Sequence, residues 1–109
     1  VTQMFFNNAD FFNFEEKCRN AGIEVPIIPG IKILSSIKQL TSIPKNFYVN
    51  IPTELAEEIE GNTNHTNEIG INWCVKQSEE LLNRGVKNIH YYIMSGAKGV
   101  TKVLKALNQ

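Results

Sequence analysis

Few side chains in this sequence are suited to chemistry, and they fall in three stretches. Gln3 stands in Val1–Phe6, a β-branched and aromatic segment that reads as a strand. At or near the C-terminal end of such a strand a glutamine offers a donor and an acceptor to a heterocycle. The plainer reading is a hydrogen bond to a neighbouring loop. Lys32, Ser35, Ser36 and Gln39 follow the apolar run Ile23–Ile31, and the serines read first as helix caps. His90 lies between Ile89 and Tyr91, with no Asp or Cys close in sequence to build a nucleophilic triad, and reads as a structural strand histidine. Tyr91 and Tyr92 must point to opposite faces of their strand, so one of them at most lines a given pocket. Ser95-Gly96-Ala97-Lys98-Gly99 could cradle a phosphate on backbone N–H groups, but it fits neither a Walker loop nor a dinucleotide fingerprint. Asp10 is the only aspartate, which argues against a carboxylate-rich metal site.

The elements that must position these residues follow from periodicity. Asn7, Asn8 and Asp10 are candidate N-caps for a helix whose apolar face is Phe11, Phe14, Cys18 and Ala21, ended by Gly22. Ile23–Ile28, bounded by Ala21-Gly22 and Pro29-Gly30, predicts a strand buried on both faces. The loop from Pro29 to Ser36 is then the place to look for a ligand, because strand ends carry sites in parallel sheets. Ile37, Leu40 and Ile43 predict a short helix stopped by Pro44. Leu55, Ala56 and Ile59 predict another, with Pro52 in its first turn and Gly61 at its end. Gly61–Asn67 reads as a polar surface loop. Thr66–Arg84 predicts the longest helix, with Ile69, Trp73, Cys74, Gln77, Leu81 and Leu82 on its buried face and Gly85 closing it. Val86–Met94 predicts another strand, and Val100, Val103, Leu104 and Leu107 a last helix. The order is β-α-β-α-α-α-β-α. Three parallel strands with helical crossovers are a slice of a larger sheet or barrel, and their edges leave backbone groups unpaired.

Composition narrows the class. The chain has 109 residues, 42% hydrophobic and 20% charged, which is globular rather than disordered and too short for a whole α/β barrel of about 250 residues. Eleven basic residues balance eleven acidic ones, so there is no electrostatic footprint for nucleic acid or an anionic membrane. No apolar run approaches the roughly 20 residues that span a bilayer. Cys18 and Cys74 sit in helical patterns without a nearby partner; their count allows a disulfide, free buried thiols in a reducing cytoplasm are the preferred reading, and their spacing excludes a paired-cysteine zinc site. Asn64-His65-Thr66 matches a glycosylation sequon, read here as chance.

Several segments together resemble methylenetetrahydrofolate reductase. They are Thr2-Gln3-Met4-Phe5-Phe6-Asn7, Phe11 to Cys18-Arg19, Ala21-Gly22-Ile23 and Val25-Pro26-Ile27-Ile28-Pro29-Gly30-Ile31. Ile51-Pro52 and Gly85-Val86-Lys87-Asn88-Ile89-His90-Tyr91-Tyr92 follow in the family's order. The likeness runs over essentially the whole chain. It implies an α/β fold of parallel βα units, about the last three of a TIM (β/α)8 barrel, with residues 1–109 one partial domain. It implies an FAD-dependent oxidoreductase that reduces 5,10-methylenetetrahydrofolate to 5-methyltetrahydrofolate with NAD(P)H in one-carbon metabolism. By resemblance Gln3 matches a glutamine that contacts both the folate pterin and the nicotinamide, and Gln39 a second folate-contacting glutamine. The catalytic glutamate and most of the flavin site belong to the amino-terminal part of the family, so the resemblance implies no catalytic residue here and an isolated chain that is inactive. Asn7 stands where the family often has Asp, Ile43 where a bacterial relative has a ligand-stacking phenylalanine, and Ser95-Gly96 where an Asn-Arg pair stands. The expected partners are folate and NAD(P)H, with the open edges covered by further copies or by the amino-terminal part of the barrel. Two other readings are a non-catalytic assembly module and a phosphate-ligand binder built on Ser95–Gly99.

Overall fold

A computed structural model of the protein describes residues 1–47, 49–92 and 98–107. Asn7 caps the first helix, α1 (Asn8–Asn20), its side-chain oxygen accepting from the Ala9 amide at 2.9 Å. The helix ends as glycine dictates. Gly22 takes φ +86°, and the Gly22 and Ile23 amides bond back to Arg19 and Cys18 carbonyls at 3.0 and 2.9 Å. Gly85, at φ +93°, ends α4 (Thr66–Asn83) in the same way, with Gly85 and Val86 amides bonded to Leu82 and Leu81.

Between these helices lie β1 (Gly30–Lys32), α2 (Gln39–Phe47), α3 (Thr53–Gly61) and a 3-10 turn, Thr63–His65; β2 (His90–Tyr92) and α5 (Lys98–Leu107) follow α4. β1 and β2 pair in parallel with Gly30 opposite His90, Ile31 opposite Tyr91 and Lys32 opposite Tyr92. Met4 joins the other side of β1 through a single parallel bridge to Gly30. The central strand thus lies between the amino-terminal segment and β2, as a βα slice requires.

Three strand expectations need correction. The Ile23–Ile28 strand is absent: the strand begins at Gly30, which was expected to follow its end. Pro26 and Pro29 have no N–H to give a ladder. Arg19 instead holds the Ile23 and Val25 carbonyls at 2.8 and 2.9 Å in an irregular loop, and Val25 is 64% exposed. The Val1–Phe6 strand shrinks to the Met4 bridge. Of the described residues 86–92 only His90–Tyr92 is strand; Ile93 and Met94 lie outside the described residues, as do Ser95–Ala97 of the phosphate-cradle reading. Pro44 also fails to stop its helix and sits inside α2. It removes one backbone bond, while Ile43 beside it is buried in the core.

Two apolar layers sandwich the strands. One joins Phe5, Phe11, Ile31 and Ile33 to Cys74 and Leu81 of α4 and Val103 of α5. The other joins Met4, Phe6 and Leu34 to Ile43, Leu55, Ile59 and Ile69. Alternation along β1 explains the split, because Ile31 and Ile33 turn one way and Leu34 the other. Phe14 on α1, Leu82 on α4 and Leu104 on α5, all expected in helix cores, are exposed because so narrow a sheet covers one side of each helix only. Ala21 is exposed as well.

Helix α4 comes close to the chain just after β1. A Cβ on Gly70 would overlap the Leu34 carbonyl, so the helix rests on main chain. Gly70→Ala should therefore cost about 3 kcal/mol or prevent folding, read as the midpoint shift in urea.

Cys74 is fully buried and Cys18 half-buried, both free. Burial pushes the Cys74 thiol up to about 12, only partly offset by its hydrogen bond with Ser78. At pH 8 a maleimide should label Cys18 and spare Cys74 until denaturant is added, as counted by intact mass. Above about pH 9 the unfolded chain ionises this thiol while the folded one does not. Stability should therefore fall as pH rises towards 12, and wild type should lose about 2 kcal/mol more than Cys74→Ala between pH 8.5 and 10.5.

Candidate functional site

Gln3 is exposed and lines a cleft of about 370 Å³ with Val1, Thr2, Phe5, Asp10, Phe11 and Phe14. Its neighbours explain its placement. The Thr2 hydroxyl accepts from the Gly30 amide and donates to the Gln3 carbonyl, at 2.9 and 3.0 Å, while Met4 bridges Gly30. Thr2 and Met4 are thereby turned to the β1 side. Phe5 and Phe11, stacked at 5.5 Å with rings 17° apart, form the cleft's apolar floor. The cleft is thus mainly apolar, with one side-chain carboxamide and one side-chain carboxylate among its lining.

Gln39 opens α2 and is half-buried. Its Oε1 accepts from the Ser35 and Ser36 amides at 2.7 and 3.2 Å and lies 3.4 Å from the Ser35 hydroxyl. The Gln39 amide in turn bonds the Ser36 carbonyl at 3.1 Å. Capping was expected of the serines; here the glutamine side chain caps their amides, as in the returning half of a capping box. What Gln39 can still present is its Nε2, a donor. The cleft lined by Gln3 does not extend to Gln39.

Lys32 is 5% exposed at the end of β1, and burial holds its ammonium below the usual lysine range. Tyr91 and Tyr92 do point to opposite faces. The Tyr91 hydroxyl lies 2.8 Å from the Ser78 hydroxyl against α4, and burial, chiefly, raises its phenol. Tyr92 crosses the other face and donates to the Thr2 carbonyl at 2.6 Å. His90 is exposed and packs edge-on against Tyr92 at 4.7 Å. Among the described residues no three His, Cys, Asp or Glu side chains gather to hold a metal, and no helix is long and apolar enough to cross a membrane.

The polar network that sequence reasoning missed lies behind Gln3. Trp73 Nε1 donates to the Phe6 carbonyl at 2.7 Å, and Gln77 Nε2 to the Phe5 carbonyl at 3.1 Å and Asn8 Oδ1 at 3.2 Å. Asn8 Nδ2 returns bonds to the Gln77 carbonyl at 3.1 Å and Glu80 Oε1 at 2.9 Å. A glutamine inside an otherwise apolar helix face was the available signal.

The FAD implied by the resemblance does not fit these residues. Its pyrophosphate needs cations or free N–H groups. Among the described residues, the side chains lining the Gln3 cleft include one acid, Asp10, and no basic group, and the paired Ser35 and Ser36 amides are occupied by Gln39.

Comparison with known proteins supplies the family. Residues 1–108 match the family Methylenetetrahydrofolate reductase. The chain is 33% identical over 101 residues to 5,10-methylenetetrahydrofolate reductase of Salmonella typhimurium, covering 90% of this chain and 34% of that protein. It is 32% identical to the Escherichia coli protein of that name over the same shares. It is 30% identical over 110 residues to Methylenetetrahydrofolate reductase (NADH) 1 of Arabidopsis thaliana, covering 98% of this chain and 19% of the plant protein. The chain thus spans about a third of the length of its bacterial relatives and about a fifth of the plant one. Its strand–helix order, parallel register and matched residues all point the same way, and the chain belongs to the methylenetetrahydrofolate reductase family.

Proposed function

We propose that this chain is the carboxy-terminal part of a TIM barrel that reduces 5,10-methylenetetrahydrofolate to 5-methyltetrahydrofolate with NAD(P)H. The observation that carries this reading is the family match over residues 1–108. Gln3 and Gln39 are its substrate-facing residues. The Gln3 carboxamide, above a floor of stacked Phe5 and Phe11, offers donor and acceptor to a flat heterocycle, first the nicotinamide and then the pterin. Gln39, with its oxygen held by Ser35 and Ser36, contributes a donor to an acceptor atom of the folate. Their work is orientation, which raises the rate by holding reacting groups in place. The catalytic glutamate and the flavin belong to the remainder of the intact enzyme, so the isolated chain is inactive, and no step on the flavin is assigned to these residues. The amino-terminal part of the barrel covers the exposed Val1 and Phe14 flank.

A chimaera tests this: the Escherichia coli reductase with its matched third replaced by this chain. It should oxidise NADH in the presence of 5,10-methylenetetrahydrofolate, whereas the 109-residue chain alone should not. Gln3→Leu in the chimaera should lower kcat/KM at least tenfold, about 1.4 kcal/mol. A folded chimaera with no reductase activity, or one indifferent to Gln3→Leu, would refute the assignment.

A further inference from the structure

The chain leaves the sheet just after Gln3. Pairing with β1 ends at Met4, yet Phe5 and Phe6 stay buried, so their carbonyls have no ladder partner and need another donor. Trp73 and Gln77, four residues apart on one face of α4, supply the donors to these two successive carbonyls at 2.7 and 3.1 Å. The Phe5 carbonyl can only accept, so Gln77 must turn Nε2 towards it. Among the described residues, that choice leaves Gln77 Oε1 buried with no hydrogen-bond partner, in a residue 5% exposed. A buried acceptor left unsatisfied is costly, and such a group calls for a role beyond packing. Asn8, at the start of α1, locks the arrangement by accepting from Gln77 Nε2 and donating to the Gln77 carbonyl and Glu80. The strand end and the helix start on either side of the Gln3 cleft are therefore both tied to the same turn of α4.

We propose that Trp73 and Gln77 are positioning residues for Gln3. Acting through the Phe5 and Phe6 carbonyls, they fix the height and twist of the strand end and so the direction in which the Gln3 carboxamide faces its cleft. The proposal rests on the reading above only in assigning a folate to that cleft. Neither Trp73 nor Gln77 lines the Gln3 cleft.

The test uses the isotope-labelled chimaera with the Escherichia coli reductase and 5-methyltetrahydrofolate. Trp73→Phe keeps the ring and loses the N–H; Gln77→Met keeps the length and loses the donor. Ile59→Val, in the core on α3, serves as a control of modest stability loss. Below the unfolding range of all four proteins, both α4 variants should shift the Gln3 side-chain amide resonances and weaken folate binding at least tenfold, and the control should do neither. Gln3 resonances that stay put in the α4 variants, or move equally in Ile59→Val, would overturn the proposal. If the unmutated chimaera binds no folate, the ligand reading of the cleft fails, while the Gln3 resonances still decide the positioning role.

Discussion

Gly30 is where the three strand segments meet, opposite His90 on one side and Met4 on the other. A Cβ there would stand 2.5 Å from the Tyr92 ring and 2.7 Å from the Thr2 carbonyl, so the position admits hydrogen alone. That space lets Tyr92 lie across β1 and donate to the Thr2 carbonyl at 2.6 Å. The Gly30 amide meets the Thr2 hydroxyl, the Thr2 amide meets the Ile28 carbonyl, and the His90 amide meets the Pro29 carbonyl. Three segments far apart in sequence are stitched together within a few residues. The short ladder would hold little by itself; this junction sets which strands are neighbours and in what register.

Helix α4 is the second organiser, and it works by a different means. Its glycine at 70 brings the helix onto the Leu34 carbonyl, while Cys74 and Leu81 fill the layer beneath β1. Towards the amino-terminal segment the same helix turns polar, with Trp73 and Gln77 meeting carbonyls that no strand can reach. One element therefore seals the apolar core and supplies hydrogen bonds where the sheet runs out. Phe5 and Phe11, which line the cleft beside Gln3, pack in the same layer as Cys74 and Leu81.

Periodicity and punctuation were legible in the sequence wherever the cause is local. Asn7 capping α1, Gly22 and Gly85 closing their helices, and the opposed Tyr91 and Tyr92 all follow from a residue's own geometry. Ile23–Ile28 misled because apolar character was read as strand. Two prolines lack the donors that a ladder needs, and only the pairing of Gly30 with both neighbours shows where the strand lies. Gln39 was legible as a candidate for contact but not as the cap of Ser35 and Ser36, because the direction of a carboxamide depends on which amides stand near it.

The sequence by itself determined the class of the protein: parallel βα units, a neutral surface balance and motifs of one reductase family, since composition, period and spacing are properties of the chain alone. The tertiary structure decided where β1 begins, that Pro44 sits inside a helix, and that Phe5 and Phe6 depend on Trp73 and Gln77. These outcomes turn on hydrogen-bond partners some 70 residues apart in the chain. A donor and acceptor so separated are chosen by packing, and no local pattern records the choice.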